Sequence, residues 1–335
     1  MISDRCWAFP ELDRLADHLD ADTVATPAKV DATLALLAAS RPDPERAVMA
    51  GSAAAEQLLG DHEVVVAGLL ARADAEGVDD ADAADALGLA AQVLVGAAWQ
   101  VRGAKRAQYV GEEAWPVFHR MLAEADEVGR TALLRRPGDP LAAFSRLGTG
   151  LGLGLPAEEW WPRFDVARRA RPTLFPAHWV MLQASCSKWY GSNDSAIDFA
   201  RTTAEQAPPG DPVTAMLPLA HLELWAEERW SRGDPMEPGW RQEQITRDLP
   251  LVEHCSRQFL AADAEAAAAG ARHPRAPEAH QFFGWLLWQQ NHAAAGAHLA
   301  AAEGRMAKTP WASYYQDGGQ QAFRIAMAKT GVPAF

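Results

Sequence analysis

The chain has 335 residues, 49% apolar and 22% charged, which is too much apolar matter for disorder. That length suits roughly two domains or one extended repeat array. Alanine supplies about a fifth of the residues and tyrosine only 4, so helix is favoured over sheet. The 31 basic residues stand against 44 acidic ones, a net charge of −13, and no Lys/Arg-dense segment offers the basic footprint that nucleic acid needs.

The 3 cysteines, Cys6, Cys186 and Cys255, are odd in number and far apart, which excludes a disulfide framework and points to a reducing cytoplasm. The opening Met1 to Trp7 carries no signal-peptide profile, and the segment through Thr26 is weakly patterned and expected to be partly mobile. Helical periodicity begins after Pro27 with Val30, Leu34 and Leu37, and repeats at Val48 to Leu59 and Val64 to Leu70. The acidic, Ala-rich start at Asp79 to Asp85 suits a helix N-terminus, and that helix should end at about Val101, before Gly103. Its apolar stretch, Leu87 to Trp99, is too short for a membrane span and reads as a buried helix, so no membrane partner is expected. A further helix is expected over Tyr109 to Leu134, with Arg135 and Arg136 at its negative end.

Three Gly-Asp-Pro triplets begin at Gly138, Gly210 and Gly233. In each, Gly ends one helix, Asp caps the next and Pro suits its first position. Two hairpins stand out: Pro176 to Ser187 with Ser195 to Ala207, and Glu278 to Asn291 with Ala294 to Met306. Ser195 and Asp198 have the spacing of a capping box. Asp234 to Arg247, with Pro235, Pro238 and Gly239, is too irregular for a helix and is read as a loop or a groove cover. Prolines recur at roughly 32–36 residues, near the 34 of a tetratricopeptide unit. The fold class expected is all-α, an irregular array of antiparallel helix pairs, with a helical region over 1–94 packed continuously on a helical-repeat domain over 95–335.

No motif of catalysis emerges. The alternating glycines Gly148 to Gly154 lack the strand and the spacing of a dinucleotide fingerprint and read as packing or turn glycines. The 10 histidines include no pair on one helix face with metal-ligand spacing, so no metal and no cofactor are expected. Cys186 near Lys188 and His178 could form a nucleophile pair, but a small thiol on a helix more often packs a core. The 13 tryptophans are the most informative set: they read first as rings filling gaps between Ala-rich helices, and second as the lining of a peptide groove.

Pro176-Ala177-His178-Trp179, then Lys188-Trp189-Tyr190-Gly191-Ser192, then Asp198-Phe199-Ala200-Arg201, resembles an uncharacterised bacterial helical domain often described as tetratricopeptide-like. Ala98-Trp99-Gln100-Val101-Arg102-Gly103 is similar to an upstream element of the same family. The resemblance covers roughly residues 95–300 and departs at Tyr190, where the family usually has Gly. It implies a helical array and no known activity or cofactor. The function expected is a scaffold binding a protein or peptide, and the alternative is an enzyme or small-molecule-binding protein with a polar pocket between helices. Arg102, His178, Trp179, Lys188, Trp189 and Arg201 are the candidate binding residues. No residue is assigned a catalytic role, and oligomeric state is not legible. A closed pocket of converging His, Arg and carboxylates would favour the alternative; an open groove lined by Trp and Leu would favour the scaffold.

Overall fold

The structure, a computed structural model, describes residues 2–21, 23–103, 107–230, 240–312 and 318–333. They form helices and turns with no strand among the described residues; one isolated parallel bridge joins Ser3 to Arg305. The protein is all-α. Contacts divide it into two compact units, Phe9–Met181 and the combination of Met1–Ala8 with Leu182–Phe335. Residue 94, where the sequence reading placed a boundary, lies inside a helix.

The first unit holds α1 (Pro10–Asp20), α2 (Thr26–Ser40), α3 (Pro44–Leu58), α4 (His62–Ala73), α5 (Asp80–Arg102), α6 (Ala114–Arg135), α7 (Pro140–Leu153) and α8 (Ala157–Ala170). Within the segment before Thr26, Pro10–Asp20 is helical. Leu12, Leu15 and Leu19 of α1 fall on one face and are buried, each worth about 1.5–3 kcal/mol in burial. The centre of this unit is α5, packed on α2, α3, α4, α6 and α7. Its Ala83, Ala84, Ala90, Ala91, Ala97 and Ala98 are buried, and such small side chains let neighbouring helices approach closely. By length and composition α5 would suit a membrane span, but most of it is buried inside this unit. Tyr109, expected to open the next helix, sits instead in a short turn before α6.

Asp139 of the first Gly-Asp-Pro triplet accepts the Ala142 N–H at 2.6 Å, with Gly138 at φ +101° and Pro140 opening α7. Arg136 does more than complement a helix end: it bonds Asp139 and, at 2.6 Å, Asp85 of α5. Of the alternating glycines, Gly148, Gly150 and Gly152 lie within the last turns of α7, and Gly154 ends it at φ +65°. A Cβ on Gly152 would stand 2.3 Å from Leu122 and 2.8 Å from Phe118, so that glycine is required by packing.

The boundary between units falls within α9 (Phe175–Ser185). The second unit continues with α10 (Asn193–Gln206), α11 (Met216–Trp230), α12 (Trp240–Ala268), α13 (Ala276–Gln289), α14 (Ala295–Ala301) and α15 (Gln320–Lys329). The N-terminal segment belongs to it: Ser3 N–H donates to Gly304 at 2.9 Å and Ala8 N–H to Pro274 at 2.9 Å. Asp211 of the second triplet caps a short turn leading into α11, accepting the Val213 N–H at 2.9 Å. Of the segment Asp234 to Arg247, residues 234–239 and the third triplet lie outside the described residues. The rest is helical, correcting the loop reading, because every breaker precedes Trp240 and Ile245, Asp248 and Val252 then follow a buried helical stripe.

The cap of α10 also differs from expectation. Ser192, not Ser195, is the N-cap; its hydroxyl accepts the Ser195 N–H at 3.0 Å and Ser195 returns the bond at 2.7 Å. Ser195 Oγ further donates to the Ser185 carbonyl at 2.8 Å, tying α10 to the end of α9.

Candidate functional site

In the second unit, the Lys188–Ser192 corner and α10 send their charges to α11 and α12. Lys188 Nζ donates to Glu223 Oε2 at 2.6 Å, and Gln183 donates to the other oxygen at 2.8 Å. Glu223 is 4% exposed, so these bonds replace its lost water. Burial works against the Lys188 charge, but Glu223 outweighs it and holds the amine above the ordinary lysine value. Arg201 donates from Nε to Asp248 at 2.9 Å and from Nη1 to Asp198 at 2.7 Å. His221 donates from Nε2 to the second Asp248 oxygen at 3.0 Å. Burial raises the Asp248 pKa, yet the His221 and Arg201 bonds bring it below the usual carboxylate range.

The corner itself is closely packed on its glycine side. Trp189 is half-buried, with Tyr190 6.2 Å away and exposed. Gly191 does not have a positive φ. It is required because a Cβ there would lie 2.0 Å from the Ser185 carbonyl oxygen. Burial, together with Glu223, pushes the Cys186 thiol up to about 12, and it bonds the Leu182 carbonyl at 3.2 Å.

The remaining candidates belong to the first unit. Arg102 ends α5, donates to Gly103 O at 2.9 Å and lies 5.6 Å and 5.8 Å from the ring centres of Trp99 and Trp115. His178 is buried, donates from Nδ1 to the Leu174 carbonyl at 2.9 Å and meets the Phe164 ring edge-on at 4.9 Å. Desolvation by burial pushes its pKa down to about 4. Trp179 is half-buried, its ring 6.1 Å from Phe175. Three candidates thus lie in each unit. Within each unit their bonds go to different partners.

A buried string in the second unit was missed by sequence reasoning. Ser256 Oγ is 2.7 Å from His298 Nε2, His298 Nδ1 is 2.8 Å from His280 Nδ1, and His280 Nε2 is 2.9 Å from Asp263 Oδ2. Arg272 closes the far end, Nη2 meeting the same oxygen at 2.8 Å and Nε meeting Oδ1 at 3.0 Å. Both histidines are wholly buried. One signal was available: Ser256 and Asp263 sit two turns apart on the stripe of Val252 and Phe259, polar residues at core positions.

An open cleft also lies in the second unit. It holds about 550 Å³ beside the C-terminal ends of α13 and α15, and is lined by Trp288, Gln289, Asn291, His292, Lys329 and Thr330. Trp288 is half-buried against Trp311, and His292 pairs with Glu253 at 3.2 Å. Lys329 is exposed and makes no ion pair among the described residues. No group of three or more His, Cys, Asp or Glu side chains among the described residues is arranged to hold a metal. The chain matches no family model, no curated protein and no solved structure.

Proposed function

We propose that the chain is a binding protein, a cytoplasmic scaffold of irregular, tetratricopeptide-like helix pairs that takes a protein or peptide segment in the cleft beside the C-terminal ends of α13 and α15. The observation that carries this reading is a contrast in how polar groups are used. The charges of the Lys188–Glu223, Arg201–Asp248–His221 and Ser256–Asp263 sets are bound chiefly to one another, with Arg201 Nη2 and His221 Nδ1 left over. The cleft instead offers side-chain amides and an exposed ammonium around a half-buried indole. Such a lining supplies hydrogen bonds to a peptide backbone and an aromatic anchor for one side chain. The reading needs no cofactor, nucleic acid or membrane.

Trp288→Ala and the pair Asn291→Ala/Lys329→Glu test it. Affinity capture from the native host, followed by mass spectrometry, should yield a partner that wild type retains and both variants lose, at unchanged circular dichroism. Identical partner sets would refute the cleft as the docking place. The cleft volume also falls within the roughly 300–1,000 Å³ of small-molecule sites. That favours a second reading, binding of a polar small molecule, which predicts that the purified protein carries or is stabilised by such a ligand and captures no protein.

A further inference from the structure

The string from Ser256 to Asp263 has a direction. Asp263 is an ionised acceptor: burial raises its pKa, but bonds from His280 and Arg272 hold it below the usual carboxylate range. It takes the Nε2–H of His280. His280, when neutral, then presents a bare Nδ1, so the 2.8 Å contact requires the proton on His298 Nδ1. His298 Nε2 is left bare and accepts the Ser256 hydroxyl. Two neutral rings with opposite tautomers satisfy every bond in the string.

We propose that this string is a pH-sensitive latch, which ties α14 to α12 and α13 while both histidines are neutral and releases α14 when they take up protons. One added proton makes a wholly buried cation whose nearest counter-charge, Asp263, is already spanned by Arg272. A second sets N–H against N–H across the ring contact. Burial, helped in His298 by the neighbouring His280, holds both rings below the usual histidine range.

The surrounding charges do not relieve this. Glu303, following α14, pairs with Arg272 at 3.1 Å, and His292, before α14, pairs with Glu253 of α12. Glu278 and Arg275 at the start of α13 pair with each other at 3.0 Å. On α11, which packs on α13, His221 and Glu223 are bound to Asp248 and Lys188. Lys308 and Lys329, near the segments packed on α13 and α14, are exposed cations. Helix α14 is 7 residues long and is held otherwise by the buried Ala295 and Leu299 and by Arg272, whose Nη2 donates to the Ala301 carbonyl at 2.6 Å. The turn carrying Asn291 and His292 leads into α14, so release would also reshape the cleft.

Hydrogen exchange of the full chain at pH 7.5 and 5.5, corrected for intrinsic rates, tests the latch. Amides of α14 should lose about tenfold or more in protection, the change expected for one proton taken up below a histidine reference near 6.5. Those of α10 in the same unit should lose less. His298→Phe, whose ring fits the stack against Phe283 but which lacks the bonds to Ser256 and His280, should lower α14 protection at pH 7.5 and weaken the pH response. Long-range proton–nitrogen NMR of the wild type serves independently of whether that variant folds: it should show His298 protonated on Nδ1 only and His280 on Nε2 only at pH 7.5. A cationic ring at that pH, no response in α14, or an equal response in α10 would each overturn the proposal.

Discussion

Lys188→Met isolates the question of whether the Lys188 corner is built for architecture or for binding. The substitution keeps the stem and removes the charge that Glu223 accepts at 2.6 Å. Losing one partner of a buried pair costs about 3–5 kcal/mol, because the other charge stays buried. The Lys188 side chain is 34% exposed and Gln183 still bonds Glu223, so screening reduces this to about 2–3 kcal/mol. For a unit of this size that is roughly a 5–10 °C fall in melting temperature. Glu223→Leu should cost less, since Lys188 can turn toward water. The double variant Lys188→Met/Glu223→Leu should return most of the way to wild type, as apolar replacements of buried pairs often do. Circular dichroism melts and urea titrations of the four proteins give the cycle. If Lys188→Met melts within 1 °C (on the order of a few tenths of a kcal/mol) of wild type, or the two single losses simply add, the pair is not coupled as its geometry requires.

Three further outcomes are expected. Gly191→Ala should destabilise by about 2 kcal/mol or more, read as a lower urea midpoint, because the added Cβ meets the Ser185 backbone oxygen and no side chain can move aside. Trp189→Ala should cost about 2 kcal/mol, below the 3–5 of a fully buried ring, because Trp189 is only half-buried. His178, with a folded pKa of about 4, binds its proton more weakly than in the unfolded chain; its contribution is intact above pH 6.5 and is lost as pH falls toward 4. The loss should reach about 3 kcal/mol, and His178→Phe should flatten that part of the stability–pH curve for the first unit.

Helices were legible wherever local signals decide them. The acidic start and Gly103 stop of α5, and the Asp139 cap of α7, are written in neighbouring residues. What was not legible depends on distant pairing. Ser195 has a box-like spacing to Asp198, but the cap falls to Ser192 because Ser195 also closes the corner onto Ser185. Arg201 and Lys188 looked available as binding residues because their partners, Asp248 and Glu223, lie 47 and 35 residues away. Glu45 reads as an ordinary first-turn glutamate. In the fold it is fully buried and accepts the Phe175 N–H at 3.1 Å, 130 residues on. The cleft depends on how α13 and α15 end beside it, which no local pattern encodes.

An interior built largely from alanine has a consequence for where chemistry can reside. Small side chains bring backbones close, as at Gly129, where a Cβ would stand 2.8 Å from Arg146. Helices that close leave little room for water, so a polar residue on an inner face must find its partner in the protein. Asp126 shows the result: Arg146 meets it at 3.2 Å, Arg163 at 2.5 Å and Thr149 at 2.9 Å. Burial raises its pKa, but the Arg163 and Arg146 bonds prevail and keep it a carboxylate. A substrate entering there would have to replace several charge-assisted bonds, each worth about 1.5–3 kcal/mol. Recognition therefore costs least where polar groups already face water beside an anchored ring, which is the arrangement of Lys329, Asn291 and Trp288.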